Sequence, residues 1–298
     1  MNYHNSVLLK ESVDALDVKP EGVYVDVTFG GGGHSREILS RLGEKGRLFA
    51  FDQDPDAQRN LIDDGRFVLI GENFKFITRF LRFYGVGKVD GVLADLGVSS
   101  HQFDAANRGF STRFDADLDM RMDQESELSA KKIINRYEEK DLADVLFMYG
   151  ELRNARAMAK RIVQERSDAE IKTSFQLKEV LKNFLPKAKE HKILAQIFQA
   201  IRIEVNQELE VLKDFLSQIP GLLNENGRLS VISYHSLEDR LVKRFIRTGM
   251  FNGEVEKDVF GNTNEPLKKV GKLIIPSKEE VKENNRARSA KLRIAELK

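Results

Sequence analysis

The chain has no cysteine, no tryptophan and only 6 prolines in 298 residues. Without cysteine there is neither a disulfide framework nor a thiolate metal site, and a cytoplasmic location is expected. Nowhere do about eighteen apolar residues run together, so no membrane-spanning helix is expected. The first turns carry His4, Lys10, Glu11, Asp14 and Asp17 among apolar residues, unlike a signal peptide. An excess of one charge is missing too. Lys and Arg number 48 against 47 Asp and Glu, and a net charge of +1 advertises no polyanionic partner. The sum says nothing of distribution, so a local basic patch stays open. There is no internal repeat and no low-complexity segment, and the length allows one large or two medium domains.

What is there is alternation. Short apolar runs at 23–27, 47–51, 67–70 and 89–94 read as buried strands, separated by helical patterns at 35–42, 55–62 and 74–84. Strands alternating with helices predict a parallel sheet covered on both faces. From about Ala105 to about Lys192 no strand is legible, only helical stretches at 130–136, 140–148, 154–166 and 174–184. Ser129 and Thr173 stand where N-caps belong. A long helix over 193–223 then leads to a strand at 228–233, with late strands at 272–275 and 291–296. The expectation is an α/β domain, 1–104 and 193–298, interrupted by a helical insertion domain, 105–192. Ile201, Val205, Leu209, Leu212 and Leu216 recur at helical spacing and read as core.

The first strand runs into Thr28-Phe29-Gly30-Gly31-Gly32-Gly33-His34 and then a helix. Glycines there let backbone approach a ligand and turn without a Cβ clash. Asp52 ends the second strand, where a carboxylate can accept hydrogen bonds from both hydroxyls of an adenosine ribose. The plain alternative is a tight turn with no ligand, and the paired Asp52 argues against it. A P-loop would need Lys after its glycines, and Gly33-His34-Ser35 has none. The dinucleotide pattern needs a third glycine where Ser35 or Arg36 stands. S-adenosylmethionine, which has no pyrophosphate, fits best, although the loop alone does not decide it.

Further blocks carry a resemblance. Asp95-Leu96-Gly97-Val98-Ser99-Ser100-His101-Gln102, Asn107-Arg108-Gly109-Phe110-Ser111 and Leu118-Asp119-Met120-Arg121-Met122-Asp123 join the glycine loop. Phe198-Gln199-Ala200-Ile201-Arg202-Ile203, Val205-Asn206-Gln207-Glu208-Leu209, Ile232-Ser233-Tyr234-His235-Ser236-Leu237-Glu238-Asp239-Arg240 and Asn285-Arg286-Ala287-Arg288-Ser289-Ala290-Lys291-Leu292-Arg293 follow in order. Together they resemble the RsmH (MraW) family across essentially the whole chain. The resemblance implies an α/β, Rossmann-like S-adenosylmethionine-dependent methyltransferase domain with a helical insertion domain. It implies methylation of a cytosine N4 amino group in 16S ribosomal RNA, at the decoding centre of the small subunit. By the same resemblance Gly32, Gly33 and His34 line the S-adenosyl-L-methionine, Asp52 holds its ribose and Phe74 packs near the adenine. Asp95 and Gln102 complete that pocket. The chain departs mildly in its four consecutive glycines, and at His4-Asn5-Ser6-Val7, where many members have proline before the valine.

Cytosine N4 is a poor nucleophile because its lone pair is delocalised into the ring. Asp95, at the end of the fourth strand, is the expected acceptor of its N–H, as cofactor ligand first and base second. Many amino-methylating enzymes carry an acidic or Asn residue followed by Pro-Pro and an aromatic here, whereas this chain reads Asp95-Leu96-Gly97-Val98, so their mechanism does not transfer. His235, Ser236 and Glu238 follow the fifth strand, where His235 is either a helix cap or a contact to the base. Arg108 and Arg113, with Phe110 and Arg121, form a lip suited to RNA. Arg286, Arg288, Lys291 and Arg293 make a basic tail with no acid among them, suited to phosphates, unless it is a solvated face. His101 and His191 show no metal-ligand spacing, so no metal is expected. A nicotinamide-dependent oxidoreductase and an inactive RNA-binding assembly factor remain the competing classes. The expected partner is 16S ribosomal RNA or the small ribosomal subunit, with no membrane.

Overall fold

A computed structural model describes residues 6–254 and 265–298, which include Ser6, the position where many members have proline before the valine, but not His4 and Asn5. The chain forms two compact units, Met1–Gly97 with Leu209–Lys298, and Val98–Glu208. In the first unit, strands β1 (Val23–Asp26), β2 (Arg47–Phe51), β3 (Phe67–Ile70), β4 (Val89–Asp95), β5 (Leu223–Ser233), β6 (Leu267–Ile274) and β7 (Lys291–Leu297) make one sheet. Its order is β3-β2-β1-β4-β5-β7-β6. The first five strands are parallel, while β7 inserts antiparallel between β5 and β6. The winding reverses between β1 and β4, where Asp26 lies opposite Leu93. A crevice therefore opens at the carboxyl ends of those two strands, because the connections leave in opposite directions there.

Along the chain the helices are α1 (Leu9–Asp14), α2 (Gly33–Arg41), α3 (Ile77–Phe83), α4 (Ser100–Asp104), α5 (Ala130–Arg136), α6 (Glu139–Met148), α7 (Ala155–Asp168), α8 (Ser174–Val180), α9 (Glu190–Asn206), α10 (Glu208–Leu222), α11 (Ser236–Thr248) and α12 (Lys278–Glu283). Alternation along the strands feeds two cores. Tyr24, Leu48 and Ala50 face α1 and α2 through Val13 and Ile38. Val25, Phe49 and Phe51 face α3, α10 and α11 through Leu81, Phe215 and Val242. Both faces of the parallel sheet are covered, so its strands are apolar runs and not alternating ones.

The second unit packs α5 to α9 around Ile133, Leu146, Ala159, Leu177, Ile197 and Ile201. Ser129 caps α5, and Thr173 caps α8 in a reciprocal capping box with Gln176. Among the described residues this unit has no strand, only a bridge between Asp117 and Thr173. No described helix is long and apolar enough to cross a membrane.

The structure departs from expectation in three places. The 193–223 helix is two helices, because Gln207 takes the left-handed conformation (φ 50°) and ends α9. Ile201 and Val205 then belong to the second core, Leu212 and Leu216 to the first, and Leu209 is only half-buried. The boundaries accordingly fall at 97/98 and 208/209, not at 104/105 and 192/193. Apolar spacing is the same in α9 and α10, so it cannot say which core each faces. Finally, 55–62 is not an α-helix but a 3-10 turn, Pro55–Asn60, capped by the Asp54 carboxylate.

Candidate active site at the carboxyl edge of the sheet

The glycine loop leaves β1 anchored by the carboxylate at the strand's end. Asp26 is fully buried and accepts hydrogen bonds from Ser35 Oγ (2.7 Å) and the Thr28 amide (3.1 Å), which ties the end of the strand to α2. Burial raises its pKa. Gly32 is left-handed (φ 74°) and caps α2. A Cβ on Gly33 would stand 2.0 Å from Ser6 Oγ, so a side chain there must move the Ser6 hydroxyl aside. A Cβ on Gly31 would meet nothing within 4 Å. The loop thus presents backbone to open space, as a ligand cradle requires.

Asp52 closes one side. Its two oxygens accept from the Gly30 amide (2.8 Å) and the Asp54 amide (2.9 Å), which fixes the carboxylate beside the loop. Desolvation outweighs those two bonds and pushes its pKa up to about 6. Asn60 donates to the Gly30 carbonyl (2.9 Å) and holds the loop from the same side. Phe74 follows β3 in a short 3-10 turn capped by Asn73, half-buried with its ring edge-on to Phe215 at 5.3 Å.

Asp95 closes the other side. Its amide donates to Thr28 Oγ1 (2.7 Å), and its carboxylate accepts from the Tyr234 hydroxyl (2.7 Å). His34 Nδ1 lies 3.9 Å from the second oxygen, too far for a hydrogen bond. Desolvation pushes Asp95 up to about 6 against the opposing pull of His34 and Tyr234, yet 21% of the side chain stays open to the crevice. Burial lowers the pKa of His34, whose Nε2 lies 3.2 Å from the Val7 carbonyl, so at neutral pH the imidazole is uncharged. Tyr234 is driven well above 10, again mainly by burial, and remains a proton donor to Asp95.

Gly32, Gly33, His34, Asp52 and Asp95 therefore converge on one crevice. Asp26 and Tyr234 belong to it as well, and sequence reasoning passed over both. Their signal was position: Asp26 ends β1, and Tyr234 follows the carboxyl end of β5, the neighbour of β4. His235 takes its capping reading. Its Nδ1 lies 3.4 Å from the Glu238 amide at the start of α11, while the Glu238 carboxylate accepts from the Tyr234 and His235 amides. Ser236 follows as the first helical residue and is exposed.

The remaining expected residues fare differently. Gln102 belongs to the second unit, buried, with its side-chain oxygen accepting from the Ser99 amide (3.0 Å) at the head of α4. Arg108 is 4% exposed and donates to the Arg121 carbonyl (2.9 Å), so it braces its own loop and offers no guanidinium to a phosphate. Arg113 is exposed. In the tail Arg288 is exposed, but Lys291 and Arg293 lie 3.4 and 2.7 Å from the Asp239 carboxylate, and Arg286 is half-buried. The acid that sequence proximity could not show comes from α11.

Strand order β3-β2-β1-β4-β5-β7-β6 with an antiparallel β7, a glycine cradle after β1 and carboxylates after β2 and β4 define a Rossmann-like methyltransferase. The chain belongs to the MraW methylase family, whose sequence model matches residues 1–298. It is 67% identical over 295 residues to a protein of Christiangramia forsetii named ribosomal RNA small subunit methyltransferase H, covering 99% of this chain and 98% of that one. A protein of the same name from Flavobacterium johnsoniae is 65% identical over 296 residues, at 99% and 98% coverage. Among solved structures, an rRNA methylase from Streptococcus thermophilus aligns over 100% of this chain and 98% of its own, with a TM-score of 0.44 and 12% identity.

Proposed function

We propose that this chain is an S-adenosylmethionine-dependent methyltransferase that methylates the N4 amino group of a cytosine in 16S ribosomal RNA, at the decoding centre of the small subunit. The observation that carries this reading is the Asp95 carboxylate, held by Tyr234 at the mouth of the crevice beside an open glycine cradle. The relatives named as small-subunit ribosomal RNA methyltransferases support the choice of substrate.

The residues present fit the cofactor. Gly31 leaves room for a ligand against bare backbone, and Asp52 is anchored through backbone amides, leaving its remaining lone pairs for ribose hydroxyls. Phe74 offers an aromatic wall for adenine, and Gln102 is carried over from the resemblance as a further contact. When bound, S-adenosylmethionine supplies an electrophilic methyl group. The protein's part is positioning and proton handling. Asp95 accepts an N–H of the amino group, which localises the nitrogen lone pair, and takes the proton as nitrogen becomes cationic. Tyr234, which stays protonated, holds the carboxylate in one orientation meanwhile. Neutral His34 sets no competing ion pair against it. Arg113, Ser236 and Arg288 remain as surface contacts for RNA, and the protein works in the cytoplasm, where its substrate is made.

The test is transfer of labelled methyl from S-adenosylmethionine to unmodified small ribosomal subunits, with nucleoside analysis. N4-methylcytidine at one decoding-centre position is the expected product. Cofactor binding without transfer, to subunits and to free 16S RNA alike, overturns the reading in favour of a binding factor.

A further inference from the structure

One surface of the first unit lies outside the crevice and carries none of its residues. Residues 75–88 contain Lys75, Arg79, Arg82 and Lys88 and no acidic residue. The inner side of α3 is committed to the core: Ile77 and Leu81 are fully buried, and Phe80 meets Phe51 edge-on at 6.3 Å. Arg79, Arg82 and Phe83 stand at i, i+3 and i+4 on the opposite side of α3, and Lys75 and Phe76 flank it in the 3-10 turn just before. That side is not a typical solvated face. Phe83 is 81% exposed, and Phe76 and Tyr84 are 38% and 37% exposed. Phe83 stands edge-on to Tyr84 at 5.3 Å, and Tyr84 leans on Phe49, over whose ring Arg47 sits at 4.8 Å. Lys75 lies over the Phe76 ring at 5.0 Å.

The cations are also unneutralised. No ion pair among the described residues includes Lys75, Arg79, Arg82 or Lys88, whereas Arg41, Arg66, Arg202, Arg228 and Arg293 each have a carboxylate. The next acid along the chain, Asp90, is occupied by the Val23 amide (2.9 Å) and Asn224 (3.1 Å). Unpaired cations interleaved with exposed rings are the combination that holds a single-stranded nucleic acid, with phosphates on the charges and unstacked bases on the rings. An acidic peptide would use the charges but leave the rings unexplained.

We propose that the outer face of α3, with the flanking Lys75, Phe76, Tyr84 and Lys88, is a docking surface for single-stranded RNA outside the reaction crevice. It rests on the reading of the substrate as ribosomal RNA and adds where the strand beyond the target nucleotide is held. α3 begins just after Phe74 at the carboxyl edge and leads back towards the start of β4, so the strip runs about 10 Å away from the crevice.

The test compares wild type with Arg79→Ala/Arg82→Ala and with Phe83→Ala, titrating a labelled single-stranded RNA oligonucleotide and unmodified small subunits at several salt concentrations. All three side chains lie on the exposed side, so folding and S-adenosylmethionine affinity are expected to be unchanged. The double variant should weaken binding about 10-fold and flatten the salt slope by about 1.4, for two lost phosphate contacts at about 0.7 each. Phe83→Ala should weaken binding about 5-fold or more with no change in slope, and Phe83→Trp should restore it. Methyl transfer at saturating RNA should keep its kcat while KM rises. Unchanged RNA affinity and slope in both variants overturn the proposal. So does an effect confined to self-association by sedimentation or to binding of anionic lipid vesicles. If wild type transfers no methyl yet binds RNA through this face, only the functional reading falls. If transfer is normal and the variants bind RNA like wild type, only the docking surface falls.

Discussion

The C-terminal tail and the outer face of α3 with its flanks each carry four cations with no acid among them in sequence, yet they differ in space. In the tail, Asp239 lies against Lys291 and Arg293, and Arg228 pairs with Glu296 across the β5–β7 ladder. On α3 and its flanks no cation is in an ion pair among the described residues. The same contrast divides the carboxylates. Asp239 is held below its ordinary range by Arg293 and Lys291 despite opposing desolvation, while Asp52 and Asp95 pair with no Lys or Arg among the described residues and rise to about 6. Charges that meet a partner hold the fold together. Charges that do not are left for a ligand, at some cost in stability.

The largest effect that tests this contrast is expected at Asp95. Asp95→Asn should lower methyl transfer by about 100-fold or more while leaving the melting temperature at pH 7 no lower than wild type. Near-normal turnover with intact cofactor binding would rule out its role as proton acceptor. In wild type, kcat/KM should rise with pH through about 6 and then level, because the carboxylate must be ionised. Stability should move oppositely. Groups with folded pKa values raised from 3.8 to about 6 bind protons more tightly in the folded state, so unfolding free energy falls between about pH 4 and 6. The Asn variant should show less of that fall in acid-to-neutral denaturant titrations.

Next in size is Asp239→Ala, which leaves Arg293, only 14% exposed, without its carboxylate. A loss of about 2–4 kcal/mol in urea unfolding is expected, with activity of the folded enzyme retained. Because the folded pKa is depressed, the stabilisation is present at neutral pH and disappears as pH falls through that folded value, below the usual carboxylate range. If the variant is as stable as wild type at pH 7, the pairing holds nothing. The smallest effect belongs to Lys291→Ala. RNA affinity should change less than about 2-fold, since its ammonium already faces Asp239, and a loss as large as that of Arg79→Ala/Arg82→Ala would erase the distinction between the two regions.

Much of this was legible without a structure. Short apolar runs ending at glycine or aspartate fixed β1 to β4, because a strand buried on both faces cannot tolerate polar residues along its length. The glycine loop, Asp52 and Asp95 were legible because each stands at the carboxyl end of a strand, the one place in such a sheet where a ligand can sit. Tyr234 and Asp26 were missed because a tyrosine or aspartate at a strand end has several ordinary uses, and only the 2.7 Å contacts to Asp95 and Ser35 single out theirs. The break at Gln207 was invisible because α9 and α10 share one apolar period.

The sequence by itself determined the family, the parallel core of the sheet, the cradle and its acidic partner, since all of these rest on local residue chemistry and on periods of a few residues. Only the tertiary structure decided which charges are neutralised: Asp239 stands 54 residues before Arg293, and their 2.7 Å contact exists because β7 runs antiparallel beside β5, from whose end α11 departs. It also decided that Arg108 faces inward and Arg79, Arg82 and Phe83 of α3 outward. Coulomb energy and desolvation depend on distance and surrounding protein, and a linear order of residues specifies neither.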